Sequence, residues 1–186
     1  MSPWRISVPC PAGGRHAGEL YGGSDQITHA SGIRGENTAM SGDLKVQLQE
    51  MLRLPAETEW IEFKEARTNF DFDDIGKYFS ALSNEANLKG KSAGWLIFGV
   101  TDKPPRVIVG SDYRNTPPGL DRLKQKIAQH TNHQMAFVAI HELIVEGKRV
   151  VMFEIPPAAR GIPTTWNGVA YGRVHESLAP LALYEI

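Results

Sequence analysis

One segment limits the architecture of this chain more than any other. "GWLIFGV" at 94–100 is a nearly unbroken apolar run closed off by glycines and turn residues. A half-wet strand would alternate apolar with polar residues, so this one belongs at the centre of a sheet covered on both faces. The 186 residues are enough for one domain with a sizeable core. At 41% hydrophobic and 22% charged residues, the composition is that of a globular protein rather than a disordered chain or a coiled coil. No window approaches the roughly 18 consecutive apolar residues of a membrane span. With 20 Lys+Arg against 21 Asp+Glu, any contact with nucleic-acid phosphates has to come from local patches, not from overall charge. The single cysteine, Cys10, leaves no intrachain disulfide and no cysteine zinc site, which points to a reducing, cytoplasmic setting.

Residues 1–41 are glycine-rich, lack apolar periodicity and contain no apolar stretch of secretory type. They read as a disordered leader or upstream extension, with Met40 a plausible native start. Residues 42–186 read as one mixed α/β domain, a mixed sheet with a C-terminal hairpin packed by about three helices. Leu44, Leu48, Met51 and Leu52 recur at helical spacing after Ser41, an expected N-cap, and Pro55 closes that helix. In "EWIEFKE", Ile61 and Phe63 point one way and Glu62 and Lys64 the other. "DIGKYFSALSNEANL" places Ile75, Phe79 and Leu82 on one helical stripe, with acids where the helix dipole favours them. "RVIVG" is expected to pair with the buried run across the "TDKPP" turn. "LDRLKQKIAQH" is amphipathic, with Leu120, Leu123 and Ile127 inward. "AFVAIHELIVEGKRVVMFEIP" reads as two strands joined around Glu146-Gly147-Lys148. Short strands follow around Thr164 to Trp166 and Ala170 to Val174, and "LALYEI" is expected to close an edge.

The candidate chemistry is acidic and basic in turn. Glu57 and Glu62 flank the first strand, and Asp102 follows the buried one, where α/β folds collect ligands. Such carboxylates, with Lys64 beside them, are the donor type for Mg²⁺ or Mn²⁺ acting on a phosphodiester. The plainer reading is of solvated acids with Lys64 neutralising Glu62. His130 and His133 sit near a helix end, where histidines more often cap than ligate. Neither a G-x-S-x-G elbow nor a Gly-rich nucleotide loop occurs. Lys89 and Lys91 lie in the loop "NLKGKSAG", Arg160 and Arg173 in the C-terminal part, and Trp95, Trp166 or Tyr171 are available for stacking.

Taken in order, four segments resemble the Schlafen AlbA-type domain. "ETEWIEFK" at 57–64 is similar to the family's acidic opening strand, "FSALSNEAN" at 79–87 to its helix with A-x-x-N, and "GWLIFGVTD" at 94–102 to its G-x-L-x-x-G-V-x-D strand. Residues 145–174 look like its closing hairpin, proline-ended strand and tyrosine/arginine strand. The departures are "EANLKGKSAG" in place of a tight Asn-Thr-x-Gly-Gly turn, and His175 where many members carry glycine. The resemblance implies a nucleic-acid-binding module, DNA-directed and regulatory, needing no cofactor to bind. It also implies a recognition unit whose effector region is not in this chain. Lys64, Lys89, Lys91, Arg160 and Arg173 are then the phosphate contacts, and a homodimer would help the domain grip a duplex. Because animal Schlafen proteins include metal-dependent endoribonucleases, the resemblance also implies an alternative: Glu57, Glu62 and Asp102 as catalytic and metal-ligating residues with Mg²⁺ or Mn²⁺, acting on RNA. A protein-interaction domain without nucleic acid is the third reading.

Overall fold

The computed structural model describes residues 32–54, 58–174 and 177–181, with side chains from residue 42 onward. The expected leader therefore lies mostly outside the described residues, as do Glu57 and His175. Helix α1 (Gly32–Leu52) begins before Ser41, so that serine is inside the helix and not its N-cap. Strand β1 (Ile61–Lys64) leads through a turn to helix α2 (Phe72–Leu88), then strand β2 (Gly94–Phe98), helix α3 (Gly119–His130) and the hairpin β3 (Ala139–Val145) and β4 (Lys148–Ile155). Three short strands follow: β5 (Thr165–Trp166), β6 (Val169–Val174) and β7 (Ser177–Pro180). Among the described residues no helix is long and apolar enough to cross a membrane.

The main sheet runs β1-β2-β4-β3, with β1 parallel to β2 and the other pairs antiparallel. All five residues of β2 are buried, as an unbroken apolar run requires. Its alternate sides feed two cores. Leu96 and Phe98 join Ile75, Phe79, Leu82, Leu123, Ile127 and Phe153, beneath α2 and α3. Trp95 and Ile97 join Leu48, Met51, Ile61 and Phe63, beneath α1. Each such fully buried side chain contributes roughly 1.5 to 3 kcal/mol relative to exposure.

A cap, a turn and a close approach follow from residue chemistry. The Asp71 carboxylate accepts from the backbone N–H of Asp73 (2.8 Å) and Asp74 (3.1 Å), capping α2. Glu146 and Gly147 both take positive φ, 51° and 73°, the pair a tight right-twisted hairpin needs. Gly94 lies so close to α2 that a Cβ there would come 2.6 Å from the Leu82 carbonyl oxygen.

Two expectations are corrected. "RVIVG" makes only an isolated bridge, Val100 to Ile108, because β2 already has β1 on one side and β4 on the other and offers no free edge. The edge beyond β6 is formed by Ser177–Pro180 rather than by "LALYEI", of which residues 182–186 lie outside the described residues. The small sheet β5-β6-β7 packs on α2, held by a polar seam. Ser80 Oγ donates to the Thr164 carbonyl (2.7 Å), while Asn84 Nδ2 donates to the carbonyls of Thr164 (3.0 Å) and Tyr171 (2.8 Å).

Candidate functional site

Strand β1 supplies two chemistries from one face. Ile61 and Phe63 enter the core under α1, so the pleat turns Glu62 and Lys64 toward α2 and β6. Beyond β2 the chain turns at Gly99, φ 93°, whose N–H donates to the Lys64 carbonyl (2.9 Å), and this brings Asp102 back to the end of β1. Lys64 Nζ then lies 2.7 Å from Glu62 Oε1 and 2.9 Å from Asp102 Oδ2. The other Asp102 oxygen accepts the Glu65 backbone N–H (3.2 Å). On its far side, buried Glu62 pairs with the Arg173 guanidinium from β6, and the Arg173 backbone N–H donates to Glu85 Oε1 of α2 (3.0 Å). A chain of alternating charges thus runs Asp102, Lys64, Glu62, Arg173, from the rim inward. Burial alone would pull the Lys64 ammonium down, but Asp102 and Tyr78 outweigh it and hold the lysine above its ordinary value.

This chain ends at a cleft of about 620 Å³ lined by Lys64, Glu65, Phe70, Thr101, Asp102 and Lys103, beyond the carboxyl ends of the two parallel strands. As a metal centre the described donors do not fit. Lys64 lies between Glu62 and Asp102, Glu62 is bonded to two cations, and no trio of His, Cys, Asp or Glu among the described residues converges on one point. Glu57 lies outside the described residues.

The opposite end of β1 is exposed and cationic. Lys89, the C-cap of α2, reaches Glu59 at 3.2 Å, and Lys91 Nζ stands 4.3 Å over the Trp60 ring. The Glu59 carboxyl is held below its ordinary value by a backbone hydrogen bond and by Lys89. Cations just past a helix end also meet its negative pole. Arg160 is exposed between Ala159 and Gly161, which line a small hollow with Asn87 and Leu88 of α2. Lys89 and Lys91 therefore stand together just past α2, and the segment carrying Arg160 runs beside the last turn of that helix. Lys64 and Arg173 do not join them, since the Arg173 side chain is 1% exposed and Lys64 belongs to the inner charge chain.

His130 Nδ1 is 2.9 Å from Asn167 Oδ1 and its ring packs on Trp166, whereas His133 is exposed with φ 55°. The pair does not converge, and neither His nor any other described residue builds a metal trio. Sequence reasoning missed the seam of Ser80, Ser83, Asn84 and Thr164, in which Ser83 and Thr164 hydroxyls meet at 2.7 Å. The signal was there: Ser80, Ser83 and Asn84 recur at three- and four-residue spacing beside the apolar stripe. Asp73, which accepts the Trp166 indole N–H at 2.6 Å, left no such trace.

A family model described as Schlafen, AlbA_2 matches residues 57–182. Among solved structures, a protein from Corynebacterium diphtheriae is 21% identical with a TM-score of 0.50, the match covering 77% of this chain and 30% of that one. The N-terminal domain of a RecG-related protein from Nitrosomonas europaea is also 21% identical, with a TM-score of 0.45, over 74% of this chain and 90% of that one. The chain thus spans under a third of the corynebacterial protein, and at this identity the likeness is one of fold alone. No curated protein matches.

Proposed function

The chain belongs to the Schlafen AlbA_2 family, and on that premise we propose that it is a nucleic-acid-binding module, directed to DNA and regulatory in role. The observation that carries this reading is the exposed pair Lys89 and Lys91 just past α2, with the Lys91 ammonium over the Trp60 ring; Arg160, exposed beside the last turn of α2, is a further candidate contact. In a chain of net charge −1, a local cationic patch beside an aromatic ring is the arrangement that holds a phosphate backbone. Lys64 and Arg173 are left out of the contact set, because both are committed to Glu62 inside the fold.

The second reading is a divalent-metal-dependent endoribonuclease using Glu57, Glu62 and Asp102. What favours it is that Asp102 lines a roomy cleft at the strand ends, where a phosphodiester has space, although Lys64 occupies the place between Asp102 and Glu62. One experiment separates the readings. The full chain is incubated with labelled duplex DNA, oligothymidylate or tRNA, in Mn²⁺ or EDTA, across a salt series, beside an Asp102→Asn variant. A retarded, uncut complex, indifferent to EDTA and weakened by salt, is the expected result. Cleavage that needs both metal and Asp102 replaces it with the nuclease. Neither binding nor cleavage leaves a protein-interaction domain.

A further inference from the structure

The ring at the open edge of the sheet narrows the kind of nucleic acid that fits, an inference that rests on the binding reading above. Trp60 immediately precedes β1, an edge strand of the main sheet, and packs against the core cluster under α1. The other tryptophans of the described domain, Trp95 and Trp166, are buried at 6% and 2% exposure. Trp60 is only partly buried, and what stands over its ring is the ammonium of exposed Lys91 at 4.3 Å. The loop backbone is held to the end of α2, the Lys91 N–H donating to the Ala86 carbonyl at 2.8 Å, while the Lys91 side chain itself is exposed. Lys89 flanks the ring from the same loop, 3.2 Å from Glu59.

We infer that Trp60 is a stacking platform for an unpaired nucleobase, with Lys91 and Lys89 taking the adjoining phosphates, so that the module binds single-stranded nucleic acid in preference to duplex. A lysine over an exposed ring contributes only about two- to fivefold in an equilibrium. A stacked base contributes about five- to 150-fold in affinity. The base therefore displaces the lysine, and the freed ammonium has a phosphate within reach. A duplex keeps its π-faces stacked inside the helix and gains only the phosphate contacts.

The test is a fluorescence and gel-shift titration of the full chain in a Trp4→Phe background, where Trp60 is the one partly exposed tryptophan of the described domain. Oligothymidylate is compared with a duplex of equal length at fixed salt. Single strand should quench the emission and bind at least about tenfold more tightly than duplex, within the range of one stacked base. Trp60→Ala should lower single-strand affinity at least about fivefold more than duplex affinity, so that the preference disappears. Trp60→Phe keeps a ring with less demand on packing and should retain part of the preference, which separates stacking from misfolding. Equal affinity for both nucleic acids, or a preference that survives Trp60→Ala, overturns the platform while leaving the binding module standing. Failure of both nucleic acids to bind overturns the binding reading and the platform with it.

Discussion

Glu62→Gln is the substitution whose effect the structure fixes most closely. Glu62 is 1% exposed and holds Lys64 at 2.7 Å on one oxygen and the Arg173 guanidinium on the other. Replacing it with the isosteric amide keeps the volume and removes the charge between buried Arg173 and half-buried Lys64. Breaking a buried pair by removing one partner costs about 3 to 5 kcal/mol. The lower end applies here, because Lys64 keeps Asp102 at 2.9 Å, so about 3 kcal/mol is expected. Asp102→Asn removes the other carboxylate of the same lysine, yet the Asp102 side chain is 43% exposed, and screening limits its loss to at most about 1 kcal/mol. Urea unfolding of the full chain, followed by circular dichroism, measures both. In a thermal scan the gap of about 2 kcal/mol appears as roughly 4 to 8 °C. A cycle of Glu62→Gln with Arg173→Met should give a coupling above about 0.5 kcal/mol. If the two single variants cost the same, or the cycle is additive, the charge chain is not what joins β1 to β6, and the reasoning fails.

Asn84→Ala should cost about 3 kcal/mol, since it strands the buried Thr164 N–H and takes a donor from the Tyr171 carbonyl, while the Thr164 carbonyl keeps Ser80 Oγ; amide exchange in β5 and β6 should quicken before that in β2. The Asp73 carboxyl is held below its ordinary value by Lys77 and the Trp166 indole. A depressed carboxyl adds stability above its unfolded value and loses it as pH falls through the folded one, so Asp73→Asn should lower stability at neutral pH and flatten acid unfolding below about pH 4. Glu59 competes with phosphate for Lys89. Lys89→Gln should flatten the dependence of log affinity on log salt by about one contact, and Glu59→Gln should raise affinity at fixed salt without flattening it; an unchanged slope in Lys89→Gln would take Lys89 out of the interface.

The parts legible in the sequence were those with a period. The buried run at 94–100 fixed a central strand, and the alternation in 60–64 placed Glu62 and Lys64 on one face, where the structure has them 2.7 Å apart. Helical spacing gave Ile75, Phe79, Leu82, Leu123 and Ile127 as core, and all five are buried. What alternation could not supply was pairing. "RVIVG" has the composition of a strand, but strand composition does not report whether a neighbour has a free edge, and β2 has none. Nor could it supply the fate of the cations. Arg173 and Lys89 look equivalent as residues, and only the packing of β6 on α2 puts one beside a buried carboxylate and the other at the surface.

The distinction between those two cations follows from where along β1 their partners stand. Odd-numbered positions of the strand belong to the core under α1, so everything polar it presents lies at 60, 62 and 64. Position 62 is roofed by α2 and β6, so its carboxylate is desolvated and must be paired on both sides to be tolerated there. At position 60, before the strand begins, that roof ends, and the ring, packed against the core under α1, has an exposed lysine standing over it. The acidic residues that look most like a reaction centre are therefore those most committed to holding the second sheet in place. The residues free to meet a partner are the cations and the ring at the other end, which is why a change at Glu62 should register first in stability and a change at Trp60 or Lys91 first in binding.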